Sequence, residues 1–364
     1  MKYLQKFILL LIVAAMIAIP AGSAFAGKKI RWKLAMTWSS TMVPISNAAP
    51  RLAELVKEMT GGNFEIRVEG SEKHKAPFGI LDMVKGGQYQ MGHSASYYWK
   101  GKDITTIFFT TAPFGMTSEE QFCWLLYNGG LELQQKIYNK FGVYSLPGGS
   151  TGVQMGGWFR KEIKSLDDLN GLKMRIPGLA GEVFAKLGVN VTNIPPGELY
   201  TALDRGTIDA IEWVGPAMDI KMGFHKITPY YYAGWHEPAS DTQFLINQKA
   251  FNKLPKEYQA ILKTAIQRVN HENYAENVNA NIHAWAKMKE EHPEVKVMVF
   301  PEPVLKAMKK ATDEVMAEYG AKNPGFMEVY KSQQDFIKKA RPWTTRSLKY
   351  YLEASELVGV GAQE

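Results

Sequence analysis

The 364-residue chain holds a single cysteine, Cys123, so no disulfide can form within it. Its stability has to come from core size, and 46% hydrophobic residues supply the material. Basic residues are not gathered into a block: 43 Lys and Arg stand against 36 Asp and Glu, spread along the chain. That distribution argues against a nucleic-acid arm. There is no phosphate-binding P-loop and no dinucleotide-binding glycine pattern, which removes two kinds of nucleotide cradle. The seven histidines are scattered, without the spacing of a zinc-hydrolase helix. "GGSTG" (148–152) has the letters of a nucleophile elbow, but "VQMGGWF" follows and reads as strand where a helix is required. Cys123 lies beside Phe122, Trp124 and Leu125 and reads as a buried structural thiol.

One long apolar run is present, and it sits at the start. Lys2 and Lys6 precede "FILLLIVAAMIAI", and Ala24-Phe25-Ala26 forms a small-x-small cleavage site. Residues 1–26 therefore read as a secretory signal peptide, leaving residues 27–364 as the exported protein. Its removal takes two lysines and lowers the formal charge from +7 to +5.

The exported part is written in α/β grammar. "KIRWKLAMTW" (29–38) alternates apolar and polar residues, which predicts a strand. "VPISNAAPRLAELVKEMTGG" (43–62) has helical apolar spacing and ends in two glycines, a stop signal. "NFEIRVEG" predicts a second strand, "APFGILDMVKGG" a short helix and "QYQMGHSASYY" a buried strand. The middle repeats the grammar through "LKMRIPG" and "GTIDAIEWVGP". Aligning Gly87 with Gly206 lays one helix–Gly–strand unit over another, a weak echo that suggests two similar lobes. From Lys256 the text turns helical, with no Gly or Pro from 256 to 292.

Ligands of open α/β sheets bind beyond the carboxyl ends of strands. The candidates are polar residues set in apolar, aromatic surroundings: Gln154 in "GVQMGGWF", Arg175 at the end of a strand, Glu212 with Trp213, and Gln243 in the apolar strand "SDTQFLIN".

At these residues "STGVQMGGWFRKEIKSLDDLNGLKMRIPG" and "GTIDAIEWVGP" closely resemble the solute-binding subunits of tripartite ATP-independent periplasmic (TRAP) transporters, in the branch that binds 2-oxoacids. "MGHSASYYW" and "YYYAGWHEP" fit the same branch. The resemblance implies a two-lobe periplasmic binding-protein fold with mixed sheets, a long connecting helix and extra C-terminal helices. One lobe would hold about 27–150 plus part of 235–300, and the other about 151–234 plus later helices. A helical extension at about 324–357 would pair two copies by exchange. By the same resemblance Arg175 holds the ligand carboxylate, and Gln154, Glu212 and the main-chain carbonyl of Trp213 hold a cation. Gln243 is assigned to the metal, and Tyr97 and Tyr98 to the ligand. The cation is expected to be sodium; calcium prefers similar oxygens, so the metal's identity stays open.

The implied function is capture of a small 2-oxoacid, pyruvate or longer, in the periplasm, for delivery to a small and a large membrane subunit. A 2-hydroxy acid such as lactate with a divalent cation is a second reading, an exported enzyme on small carboxylic acids a third, and a sensor reporting to a receptor a fourth. The aromatic runs "MGHSASYYW" and "IFFTTAPFGM" suggest a pocket with room for an apolar tail. Mass spectrometry of the protein recovered after export is expected to find a mature chain beginning at Gly27; a chain still carrying Phe7–Ile19 overturns the cleavage assignment.

Overall fold

The computed structural model describes residues 29–361, so the signal-peptide assignment lies outside the described residues. Eleven strands are formed among them. They are β1 (Ile30–Met36), β2 (Phe64–Glu69), β3 (Met91–Ser94), β4 (Val143–Ser150), β5 (Gly157–Phe159) and β6 (Lys173–Arg175). Then come β7 (Asn190–Thr192), β8 (Ala210–Ile211), β9 (Tyr230–Tyr232), β10 (Asp241–Asn247) and β11 (Lys296–Met298). Two sheets result, ordered β2-β1-β3-β10-β4 and β11-β9-β5-β8-β6-β7.

Each sheet is mixed. In the first, β1 runs parallel to β2 and β3, while β10 runs antiparallel to β3 and β4. In the second, β6 runs parallel to β7 and β8, and β5 runs antiparallel to β8 and β9. The parallel pairs follow from the alternation of strand and helix, because a parallel neighbour needs a crossover. β1 shows this, being joined to β2 by the helix Ala48–Met59. Gly87 and Gly206 both take the left-handed conformation, at φ 77° and 70°, and each ends a helix before a buried strand.

The chain passes between sheets at 151–156 and returns at 233–240. The two passages touch. A Cβ on Gly234 would sit 1.9 Å from the Gln154 carbonyl oxygen, so only glycine permits that approach. Gln154 N–H donates to the Glu237 carbonyl at 3.0 Å and Met155 N–H to that of Val214 at 2.9 Å. The third connection is the single helix Lys256–Glu291, about 54 Å long at 1.5 Å per residue. It packs on β4 and Ala48–Met59 in the first lobe and on Pro216–Met222 in the second.

The later helices divide between the lobes. Glu302–Lys322 packs on Gly178–Lys186 in the second lobe. Pro324–Thr344 returns to the first, where Gln333 Nε2 donates to the Phe108 carbonyl and Arg341 pairs with Glu120 at 3.0 Å. Beyond Thr344 a π-helical turn and the helix Tyr350–Leu357 bury no side chain. No helix among the described residues is long and apolar enough to cross a membrane.

Cys123 corrects the sequence reading. The helix Ser118–Tyr127 buries Gln121, Trp124 and Leu125, which turns Cys123 to solvent. The second lobe's core is anchored on Trp158, which stacks on Tyr231 at 3.9 Å between ring centres. Trp158→Ala is expected to cost about 3–5 kcal/mol, read as a lower urea midpoint at unchanged slope.

Candidate functional site

β6 and β8 are adjacent and parallel, with Arg175 in register with Ile211. Their carboxyl ends therefore deliver Arg175 and the next residue, Glu212, side by side, and Glu212 N–H donates to the Arg175 carbonyl at 3.0 Å. Arg175 Nη1 donates to the Glu212 carbonyl at 2.5 Å and to Oε2 at 3.2 Å. Both side chains are 1% exposed. The Trp213 ring lies against the guanidinium, 5.3 Å from its carbon. Arg175 Nε and Nη2 remain buried without a partner. Those two donors form one edge of the guanidinium, the fork that takes a carboxylate through parallel hydrogen bonds.

The loop after Glu212 is braced from below. Asp219, fully buried, accepts from Val214 N–H at 3.1 Å, Gly215 N–H at 3.0 Å, Trp158 Nε1 at 3.0 Å and Tyr231 hydroxyl at 2.9 Å. Burial pushes its carboxyl up to about 6, against the pull of those donors.

The two crossing passages add the remaining polar groups. Gln154 Nε2 donates to Thr151 Oγ1 at 2.9 Å, which leaves its amide oxygen buried and free. His236 Nε2 stands 3.5 Å from Glu212 Oε1. Glu212, His236 and Glu237 each offer a ligand atom, all within 4.8 Å of one another. From the first lobe, the turn after β3 brings Tyr97, edge-on to Tyr98 at 4.7 Å and facing Gly178 of the second lobe. Gly178 begins its helix at φ 66°, where a side chain would be strained. Beside it, Lys100 pairs with Glu182 and donates to the Gly178 carbonyl, tying the lobes together at the rim.

Gln243 is not part of this group, a correction to its assignment as a metal ligand. Its oxygen accepts from Tyr138 hydroxyl at 2.5 Å and Ser145 Oγ at 3.2 Å, and its amide donates to the Phe109 carbonyl. Both lone pairs are spent inside the first lobe. Within "IFFTTAPFGM", Phe108 packs on Phe326 and Phe109 on Trp124 in the core, while Phe114 packs on Trp235 beside His236. Ser150 ends β4 with no helix after it and faces Ser118 Oγ, so no nucleophile elbow forms.

The electrostatics are those of acids held out of water. Burial pushes Glu212 up to about 8, with Arg175 opposing. Burial, reinforced by Glu212, pushes Glu237 up to about 8. Burial holds His236 down to about 4, so the ring is neutral at pH 7. Glu212 Oε1, Gln154 Oε1 and Glu237 Oε2 are buried and unpartnered. Such oxygens are costly to leave unpaired, and they are the donor set a hard cation takes.

The family of bacterial extracellular solute-binding proteins, family 7, matches residues 34–323. The chain belongs to this family. A monocarboxylate 2-oxoacid-binding periplasmic protein of Nostoc is 41% identical over 315 residues, 86% of each chain. The fold matches that of a TRAP periplasmic solute-binding protein from Colwellia psychrerythraea, solved with bound calcium and pyruvate. That match has a TM-score of 0.89 and 54% identity over 90% of this chain and 100% of the other. A counterpart from Pseudoalteromonas atlantica, solved with bound sodium and pyruvate, has a TM-score of 0.88 and 52% identity over 90% and 99%. One from Bordetella bronchiseptica is a mixed-occupancy dimer with calcium and picolinate in the occupied site. It has a TM-score of 0.88 and 36% identity over 92% and 99%.

The structure thus brings Arg175, Glu212, Trp213, Gln154, Tyr97 and Tyr98 near one another where the two lobes meet. Sequence reasoning passed over His236, Glu237 and Asp219. The signal for the first two was present: a His-Glu pair inside "YYYAGWHEP", where an apolar aromatic run gives no structural reason for a charge.

The raised carboxyls fix a pH response. Between about 4.5 and 8 the folded, ligand-stripped protein holds protons on Glu212 and Glu237 that the unfolded chain has released. Its stability therefore falls as pH rises through that window. Thermal melts of stripped protein are expected to show a higher Tm at pH 5.5 than at pH 8, with the difference reduced in Glu237→Gln.

Proposed function

We propose that this protein captures a small 2-oxoacid together with a cation, pyruvate being the ligand of first choice. The observation that carries the reading is the free Nε–Nη2 edge of Arg175 beside the unpartnered oxygens of Glu212, Gln154 and Glu237. A carboxylate satisfies the arginine edge; an adjacent 2-oxo oxygen reaches toward the same cation as the protein oxygens. Gln154, Glu212 and the Trp213 carbonyl are the residues that would hold the cation, with Glu237 beside them. Bound there, the cation supplies the positive charge that a second carboxylate in a dry cleft requires.

The charge sum at this site accommodates either a monovalent or a divalent cation. Arg175, ionised Glu212 and a ligand carboxylate total −1, which a monovalent cation cancels. With Glu237 also ionised the total is −2, which a divalent cation cancels. The relatives solved with pyruvate hold sodium in one case and calcium in the other.

On this reading the protein works in the periplasm after losing residues 1–26, performs no catalysis, and hands its ligand to the small and large membrane subunits of a TRAP transporter. It pairs with a second copy by exchanging the C-terminal helices, which suits a tail that buries nothing against its own body.

Thermal unfolding of refolded, ligand-stripped protein tests the reading. Pyruvate at about 100 times its Kd adds roughly 2.7 kcal/mol, and the shift is expected only with sodium or calcium present. Lactate and a longer 2-oxoacid run in parallel rank the ligands. No shift with any of them, on folded protein, overturns the ligand class. By calorimetry, Arg175→Ala is expected to weaken pyruvate binding by about 2–5 kcal/mol. Glu212→Gln is expected to weaken it and blunt the dependence on cation; unchanged binding and metal dependence in that variant removes Glu212 from the site.

A further inference from the structure

The long helix Lys256–Glu291 carries asparagines on one side. Asn270, Asn273, Asn277 and Asn281 follow one another at steps of three, four and four residues, which return to the same face. Asparagine is a poor helix former, because its amide competes for backbone hydrogen bonds. Here three of the amides bond to the backbone of other elements. Asn270 Oδ1 accepts from Gly149 N–H at 2.9 Å, and Asn273 Nδ2 donates to the Pro44 carbonyl at 3.1 Å. A Cβ on Gly149 would stand 2.3 Å from Asn273 Oδ1, so the helix is pressed against the end of β4. These bonds hold the first lobe. Asn281 Oδ1 accepts from Ala217 N–H at 3.0 Å and holds the second.

The bond to Ala217 falls just after the residues that would hold the cation. Gly215 precedes the helix Pro216–Met222 and has no side chain with which to cap it, so Asn281 takes an N–H of that helix's first turn. Gly215 also lets the amide come close, since a Cβ there would meet Asn281 Oδ1 at 3.0 Å. Asp219 fixes the same turn, but its partners Val214, Gly215, Trp158 and Tyr231 all belong to the second lobe. Asn281 is a support from outside that lobe. Asn270, on the same side of the same helix, holds Gly149 just before the passage that carries Gln154.

We propose that Asn281 is a positioning residue for the cation site, fixing the Glu212–Trp213 turn against the helix that also holds the root of the Gln154 passage. The proposal rests on the cation reading above and adds what aligns oxygens drawn from two chain segments. Such oxygens meet one ion only when their segments keep register, and residues that hold metal ligands in place commonly matter about 10–100-fold in affinity.

The test titrates terbium(III), a hard ion that takes calcium's oxygen ligands, into ligand-stripped mature protein. Trp213, beside the site, sensitises its emission, and calcium competes it away. Glu212→Gln marks the part of the signal that belongs to the cleft. Asn281→Leu removes the acceptor, with room for the side chain in a hollow of ≈ 480 Å³ that Asn281 lines with Val153 and Pro216. Asn281→Asp keeps the acceptor, and 0.15 M salt screens its added charge. Asn281→Ala replaces the leucine variant if that one does not fold. Support requires a terbium Kd raised about tenfold or more in Asn281→Leu and kept within about threefold of wild type in Asn281→Asp. A cap that serves stability alone lowers the Tm of Asn281→Leu but leaves its terbium Kd within about threefold of wild type; that result overturns the proposal and leaves the cation reading standing. Equal weakening in the leucine and aspartate variants also overturns it. A wild type without a signal that Glu212→Gln removes overturns the cation reading and the proposal together.

Discussion

The contact on which the rest depends is the buried Arg175–Glu212 pair. Ionising Glu212 beside Arg175 in a dry interior is costly, and one hydrogen bond at 3.2 Å does not repay it, so burial pushes the carboxyl up to about 8. The pair leaves one edge of the guanidinium and one carboxylate oxygen unused. A site arranged this way is incomplete without an anion for the arginine and a cation for the acid. The need for a solute is therefore built into the packing. So is the need for closure, since the unpaired groups gain most when water is excluded around a ligand that satisfies them.

Placing that pair takes rigid support on one side and freedom on the other. Asp219 supplies support, fixing the backbone after Glu212 through four hydrogen bonds from buried donors. Freedom comes from the hinge. Two passages, the helix Lys256–Glu291 and the junction at Asn323 connect the lobes, and the two passages are pressed together at Gly234 and Gln154. Gln154 and Glu237 lie on those passages, so the groups that complete the site sit at the bend itself. The lobes meet through Tyr97 against Gly178 and through Lys100 with Glu182 at the rim. The rim pair is about one-third exposed, so it is a weak tie that solvent screens and opening can break.

Much of the fold could be read along the chain. Alternation in "KIRWKLAM" and "FEIRVE", the glycine stops at 61–62, 87 and 206, and the uninterrupted 256–292 run correspond to formed elements. Arg175 and Glu212 were legible as charges ending apolar strands. Gln243 was misread for a physical reason. An amide on a buried strand has the same local pattern whether it faces a cleft or a core, and only Tyr138 and Ser145, some hundred residues away in sequence, distinguish the two. Cys123 was misread because a run of apolar residues on a helix does not announce which face turns outward.

The sequence by itself determined the order of elements and the residue types at the strand ends, because periodicity and turn chemistry are local. It determined family membership through long continuous motifs. Tertiary structure alone decided which polar groups are left without partners. Arg175 reaches Glu212 because β6 and β8 are neighbours, and His236 and Glu237 join them because the chain returns from the second lobe at that point. Hydrogen-bond satisfaction is a property of the whole packed molecule, so the unpaired Nε–Nη2 edge of Arg175 is written nowhere in the local text.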